Sequence, residues 1–409
     1  MGIFVNPGNT MFRKKLNSKI FVDKTPMINE LNELIENDEG FVCMSRTRRF
    51  GKTMMTNLMS AYYSKNCDSR EIFEGLKLSE REGWDKYLNA INVIQIDLQS
   101  CYNITKDKSR VIEKLQEEVV NELRAQFPSA EIPSYAVIAD AIYNINNELG
   151  ETFVIIIDEY DVLIRDKSVP STLRNEYVEL LNALFKSNTT QKAISLAYLT
   201  GILPILRETV QSKLNNFTEY TMINPEQFAQ YFCFTENEVQ ELCLEKKADF
   251  DVCKRMYDGY IFEKPYDLME QPDYDGNPVI HIFNPNSVVK AVTKRKYENY
   301  WVSTSALESI TLYIDSNIAG VQDDIKTMLK SDEGVNVNVR LYNNNVEHFA
   351  TKDKIFTYLI HLGYLTYDPT KGTCHIPNGE IKQAWLDILS ASTGFETIRQ
   401  MLDTGRALI

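Results

Sequence analysis

Gly51, Lys52 and Thr53 stand where a short apolar run, residues 41–45, gives way to a helical pattern over residues 52–63. Phosphate groups are held by backbone N–H groups at a helix N-terminus, by a lysine reaching the β and γ oxygens, and by a hydroxyl on Mg2+. The run Ser45-Arg-Thr-Arg-Arg-Phe-Gly-Lys-Thr53 supplies the second half of the pattern G-x-x-x-x-G-K-[ST], with Arg46 in place of its first glycine. Residues Arg46, Thr47, Arg48, Arg49, Phe50, Gly51, Lys52 and Thr53 are therefore expected to cradle a nucleotide, with Thr53 on the metal and Lys52 acting in catalysis. A lone G-K-T tripeptide is weak evidence. The strand before it and the helix after it give it weight.

A second constellation follows further along the chain, where Phe153-Val-Ile-Ile-Ile157 ends in Asp158 and Glu159. In nucleotide hydrolases a strand-end aspartate fixes the water shell of Mg2+, and the next carboxylate orients and deprotonates the attacking water. Asp158 is the expected metal ligand and Glu159 the expected general base. The competing reading is a buried strand ending in a solvated acidic turn. The strand Ile194–Leu199 ends in Thr200, which is either a sensor of the γ-phosphate and attacking water or a satisfied buried hydroxyl. Arg48, Arg49 and Arg207 are candidates for stabilising charge on a phosphoryl group in transfer, with Arg49 placed in the catalytic set.

Such residues need a frame. Residues 41–45, 93–98, 153–157 and 194–200 are short apolar runs suited to strands buried on both faces. Helical patterns at 52–63, 107–126, 134–148 and 170–186 separate them, and this alternation predicts a mostly parallel α/β sheet of the P-loop NTPase kind. A fifth strand is expected at 219–223, closing an ATPase core over 1–224. Beyond Pro225 the pattern predicts a helical lid over 225–299, opened by a capping box at Thr235 and Glu238 and carrying a Pro/Asp/Gly-rich loop at 264–277. The lid is expected to cover the nucleotide edge of the sheet. Helices around 304–330, alternating Val335, Val337 and Val339, a helix at 352–361, a hairpin over 363–377 and helices from Glu380 predict a winged-helix-like unit over 300–409.

Composition bounds the rest. The chain has 409 residues, 44 Lys and Arg against 57 Asp and Glu, and a formal net charge of −13. At roughly 100–200 residues per domain, this predicts about two or three domains. Hydrophobic content of 44% and charged content of 25% exclude bulk disorder. The longest apolar runs, about five residues, fall far short of a membrane span, and no export signal opens the chain. The negative balance speaks against broad DNA coating. Seven cysteines without a C-x-x-C pair suggest reduced thiols rather than a disulfide or zinc framework, and a cytoplasmic location.

Six short stretches together resemble a known family: Phe21-Val-Asp-Lys-Thr25, Arg48-Arg-Phe-Gly-Lys-Thr53, Ile157-Asp-Glu-Tyr-Asp161, Leu199-Thr-Gly-Ile202, Tyr257-Asp-Gly-Tyr260 and Phe283-Asn-Pro285. The chain is similar to the predicted AAA-ATPase-like family of gut Bacteroidetes and other anaerobes. That family usually carries a C-terminal PD-(D/E)xK nuclease-like domain, and arginine-rich residues commonly replace its first loop glycine. The resemblance implies ATP and Mg2+ as cofactors, with Lys52, Thr53, Asp158 and Glu159 in the usual roles. It also places Asp23 and Lys24 at the nucleotide end. The nuclease-like part is expected to be missing, because Asp324-Ile-Lys326 and Glu380-Ile-Lys382 fall on helical patterns and Asp273 in a loop. Asp273-Tyr-Asp-Gly276 mimics half a calcium loop, but Gln271 and Ile282 occupy ligand positions of that loop, so no calcium is expected.

The expected function is that of a Mg2+-dependent ATP-binding protein, an ATPase coupling nucleotide state to a partner or an appended nuclease-like domain. The alternative is a nucleotide-gated switch with negligible turnover, touching DNA or protein through the winged unit.

Overall fold

The computed structural model describes residues 2–166, 168–205, 214–270, 274–301, 320–331, 333–341 and 351–391. They form two compact units, residues 1–47 with 51–221, and residues 48–50 with 222–409.

The first unit is built on β1 (Phe41–Ser45), β2 (Asn92–Asp97), β3 (Phe153–Asp158), β4 (Ile194–Gly201) and β5 (Thr218–Tyr220). Their spatial order is β2-β3-β4-β1-β5, and every neighbouring pair is parallel. All six residues of β3 are buried, so the strand reads as an unbroken apolar run rather than an alternating one. Helices α1 (Thr10–Leu16), α2 (Met27–Glu36), α3 (Lys52–Tyr63), α4 (Val111–Gln126), α5 (Ile138–Leu149) and α6 (Ser171–Phe185) accompany the sheet. On α5 the buried residues Ile138, Ala141, Ile142 and Ile145 recur at helical spacing and join Ile155, Ile157 and Leu199 in one core. The chain start is tied to the far edge of the sheet. Glu122 on α4 accepts the N–H groups of Ile3, Phe4 and Val5 at 2.8–2.9 Å.

This order matters because β1 lies between β4 and β5, while the chain leaving β1 crosses to the opposite edge at β2. A parallel sheet opens a crevice at such a reversal, beyond the carboxyl ends of the strands. Register then sets the height of each strand end. Asp97 pairs with Asp158, Asp158 with Thr200, and Thr200 with Met44, so these residues share one level at the C-terminal rim.

In the second unit, β6 (Phe234–Thr235), β7 (Tyr260–Glu263) and β8 (Val279–Phe283) form an antiparallel sheet in the order β6-β8-β7. The helices α7 (Glu236–Lys246), α8 (Phe250–Tyr257) and α9 (Pro285–Lys294) accompany it. The helical lid expected over 225–299 is corrected here, since this range also holds a three-stranded sheet. β6 and β7 are only two and four residues long, and both find their partner in β8, beyond the loop, so no local hairpin signal exists. The capping box is present: the Thr235 hydroxyl accepts the Glu238 N–H and the Glu238 carboxylate accepts the Thr235 N–H at 2.8 Å.

Next come α10 (Val321–Lys330), β9 (Val335–Asn336), α11 (Lys352–Leu362), β10 (Thr366–Asp368), β11 (Thr373–His375) and α12 (Gly379–Ala391). Their antiparallel sheet has the order β10-β11-β9. Val339 does not continue the expected strand; it begins a short 3-10 turn. Residues 302–319 of the expected helices lie outside the described residues, as do Arg207, Gln271 and Asp273. One core unites Phe50, Tyr260, Phe262, Ile282, Ile325, Phe356, Tyr364 and Trp385. Residues expected as separate domains at 225–299 and 300–409 therefore share a single interior.

Candidate active site

The loop begins where β1 ends. Arg46 is fully buried, its N–H donates to Gly201 O at 3.0 Å, and its guanidinium donates to Ser45 O and Tyr220 O, both at 2.9 Å. It thereby ties the start of the loop to the ends of β4 and β5. Left-handed backbone occurs at Arg49 (φ 69°) and Gly51 (φ 81°), but not at Arg46. Arg46 can replace the first glycine because its position demands no positive φ.

Gly51 caps α3 in the left-handed conformation, and Lys52 and Thr53 open the helix. The Lys52 ammonium is buried and donates back to the carbonyls of Arg46 and Thr47 at 3.1 and 3.3 Å. It also stands 3.6 Å from Glu159 Oε1. Thr53 is exposed, and its hydroxyl acts on the carboxyl of Asp158, favouring the ionised form. Burial pushes the Asp158 carboxyl up to about 6, opposed by the Thr53 hydroxyl and the Lys52 charge. A buried carboxylate beside an exposed hydroxyl, at the rim of a parallel sheet, fits the protein share of a Mg2+ site that takes its other ligands from phosphate and water. Among the described residues no cluster of three or more His, Cys, Asp or Glu could hold a metal without such help.

Glu159 turns the chain sharply, with φ 52° in the left-handed region. Non-glycine residues there carry strain and concentrate at working sites. What holds the turn is the exit of β4. Tyr160 N–H donates to Thr200 O at 3.0 Å and its hydroxyl to Leu203 O at 2.9 Å. Asp161 Oδ2 accepts the N–H groups of Ile202 and Leu203 at 3.2 and 3.0 Å. A Cβ on Gly201 would lie 2.6 Å from Asp161 Oδ1, so only glycine permits this approach. The stretches 157–161 and 199–202, noted separately in the sequence, form one interlocked structure. Arg165 completes it: Nη2 is 3.3 Å from Glu159 Oε2 and Nε is 3.5 Å from Asp161 Oδ2. Sequence reasoning assigned Tyr160, Asp161 and Arg165 no role.

The other expected residues lie as follows. Thr200 is fully buried and its hydroxyl donates to Met44 O at 3.0 Å. Thr47 is buried, Arg48 half-buried and Arg49 exposed. In the second unit, Arg49 donates to Tyr300 O, and Phe50 meets Tyr260 edge-on at 5.1 Å. Asp23 braces a turn, accepting from Thr25 N and Oγ1 at 2.9 and 2.6 Å and from Lys77 N at 2.7 Å.

No curated protein matches the chain as a relative. Among solved structures, the walker-type ATPase PABY2304 of Pyrococcus abyssi is similar over 89% of this chain and 95% of its own, at 12% identity and a TM-score of 0.41. The ORC2 protein of Aeropyrum pernix, in its ADPNP–ADP complexes, is similar over 93% of this chain and 96% of its own, at 11% identity and a TM-score of 0.32. Among the described residues no helix is long and apolar enough to cross a membrane. Residues 10–211, which hold the loop, the acidic strand end and their interlock with β4, match the AAA-ATPase-like family, described as predicted AAA-ATPase, and this part of the chain is identified with that family.

Proposed function

We propose that the chain binds ATP with Mg2+ and hydrolyses it to ADP and phosphate. In this reading Lys52 neutralises the β and γ oxygens, the N–H groups of the 46–53 loop surround the phosphates, and Thr53 and Asp158 hold the metal. Mg2+ supplies charge neutralisation of the transferring phosphoryl group. Glu159 takes a proton from the attacking water. Arg49 remains a candidate for charge stabilisation, and Thr200 acts through the rim of β4. The observation that carries the proposal is the grouping of Lys52, Thr53, Asp158 and Glu159 at one strand-end crevice, with Lys52 3.6 Å from Glu159.

The C-terminal part of the second unit runs helix, strand, helix, hairpin, helix, with β11 between β9 and β10. That order supports a winged-helix-like unit. Its α11 carries no exposed residue, which speaks against a recognition helix in a DNA groove. Replacing Glu159 by Gln tests the enzymatic reading: Mg-ATP binding persists within about threefold, and turnover falls about 100-fold or more. Wild-type turnover in that variant would remove Glu159 from the reaction.

A further inference from the structure

Both oxygens of Glu159 face cations: Oε1 faces Lys52 Nζ at 3.6 Å and Oε2 faces Arg165 Nη2 at 3.3 Å. At each oxygen a cation therefore competes with water for the carboxylate's lone pairs. The lysine is the partner that changes, since a bound β,γ-phosphate group competes for its charge. Arg165 is the partner that stays. Its Nε lies 3.5 Å from Asp161 Oδ2, and that oxygen is fixed by the N–H groups of Ile202 and Leu203. Asp161 is 2% exposed and pressed against Gly201, so the anchor has little room to move.

We propose that Arg165 is the positioning residue for Glu159: fastened through Asp161 to the exit of β4, it keeps Oε2 when Lys52 turns to phosphate and so leaves Oε1 aimed at the attacking water. This rests on the ATPase reading above. Arg165 acts only through Glu159, and no contact between Arg165 and phosphate is required. The device also accounts for the left-handed backbone at Glu159 (φ 52°). That turn brings the side chain of the general base back toward an arginine six residues later, a spacing at which helix neighbours do not meet.

The role predicts a split between kinetic parameters. Misaiming a general base while leaving the phosphate loop intact lowers kcat and leaves substrate affinity in place. Mg-ATP turnover and calorimetric ATP binding are measured on the full chain for the wild type, Arg165→Ala, Arg165→Lys and Glu159→Gln. Arg165→Ala is expected to lose about 10- to 100-fold in kcat, with KM and ATP affinity within about twofold. Arg165→Lys is expected to recover part of the loss, because an ammonium can still hold Oε2. Wild-type kcat in Arg165→Ala would overturn the proposal. So would a joint loss of ATP binding and turnover that lysine does not relieve, since that pattern belongs to a fold support. A wild type that turns over ATP while Glu159→Gln does so equally fast would overturn the general base itself, and a wild type that binds ATP without turnover would remove the hydrolytic reading. Both results differ from a failure confined to Arg165.

Discussion

Glu380 on α12 offers a direct test of the burial argument. The side chain is 1% exposed, and its oxygens accept the Ser287 hydroxyl at 3.0 and 2.8 Å and the Tyr300 N–H. Burial pushes its carboxyl from 4.5 up to about 7, opposed by those hydrogen bonds and by the Arg49 charge. The other titratable groups near it are the phenols of Tyr257, Tyr260 and Tyr300. Between pH 4.5 and 7 the folded protein keeps a proton here that the unfolded chain has released, so stability falls as pH rises through this window and levels off above it. At about 1.36 kcal/mol per pH unit, the span from 4.5 to 7 amounts to about 3 kcal/mol. Glu380→Gln is neutral throughout and escapes this loss. Urea unfolding, followed by the fluorescence of Trp301 and Trp385 in the same unit, is run at pH 5, 6, 7 and 8 on both proteins. Because the series starts at pH 5, half a unit inside the window, the variant should gain about 2.5 kcal/mol relative to the wild type between pH 5 and pH 8. A difference that stays constant over that range would refute the reasoning, because Glu380 would then titrate as an ordinary exposed carboxylate.

Two glycine substitutions test the close approaches. Gly201→Ala places a Cβ 2.6 Å from Asp161 Oδ1 and 2.9 Å from Tyr160 Cδ1; thermal unfolding should report a loss of about 1–3 kcal/mol, and an unchanged melting temperature would contradict the interlock. Gly259→Ala meets Pro377 O at 1.8 Å from a backbone at φ 112°; it should cost the second unit about 3 kcal/mol or more in urea unfolding, and a cost under about 1 kcal/mol would show that the 257–260 turn is free to move.

How far the sequence reveals this molecule depends on how local each signal is. β1 and α3 fall where their residues predict them, at Phe41–Ser45 and Lys52–Tyr63, because a doubly buried strand reads as an apolar run and a helix start is marked by Gly51. The central strands of the sheet are legible for the same reason. β6 and β7 are not, because two- and four-residue strands gain their identity only by pairing with β8. The same contrast holds at the candidate site. Lys52, Thr53, Asp158 and Glu159 carry their chemistry in residue type and spacing. Arg165 does not: its meeting with Glu159 depends on a left-handed turn and on Asp161 being held by β4, a strand that begins well after both. Arg46 illustrates the remaining limit. Its sequence position suggests a phosphate contact, and only the fold shows its guanidinium turned onto Ser45 O and Tyr220 O.

The central claim is that Lys52 lies in a working phosphate loop. Its most direct test is calorimetric titration of Mg-ATP into the wild type and Lys52→Ala, with ATP turnover followed in parallel. Loss of a charge-assisted contact to phosphate should weaken binding about 100-fold or more and remove turnover. Binding of Mg-ATP by Lys52→Ala at wild-type affinity would contradict the account.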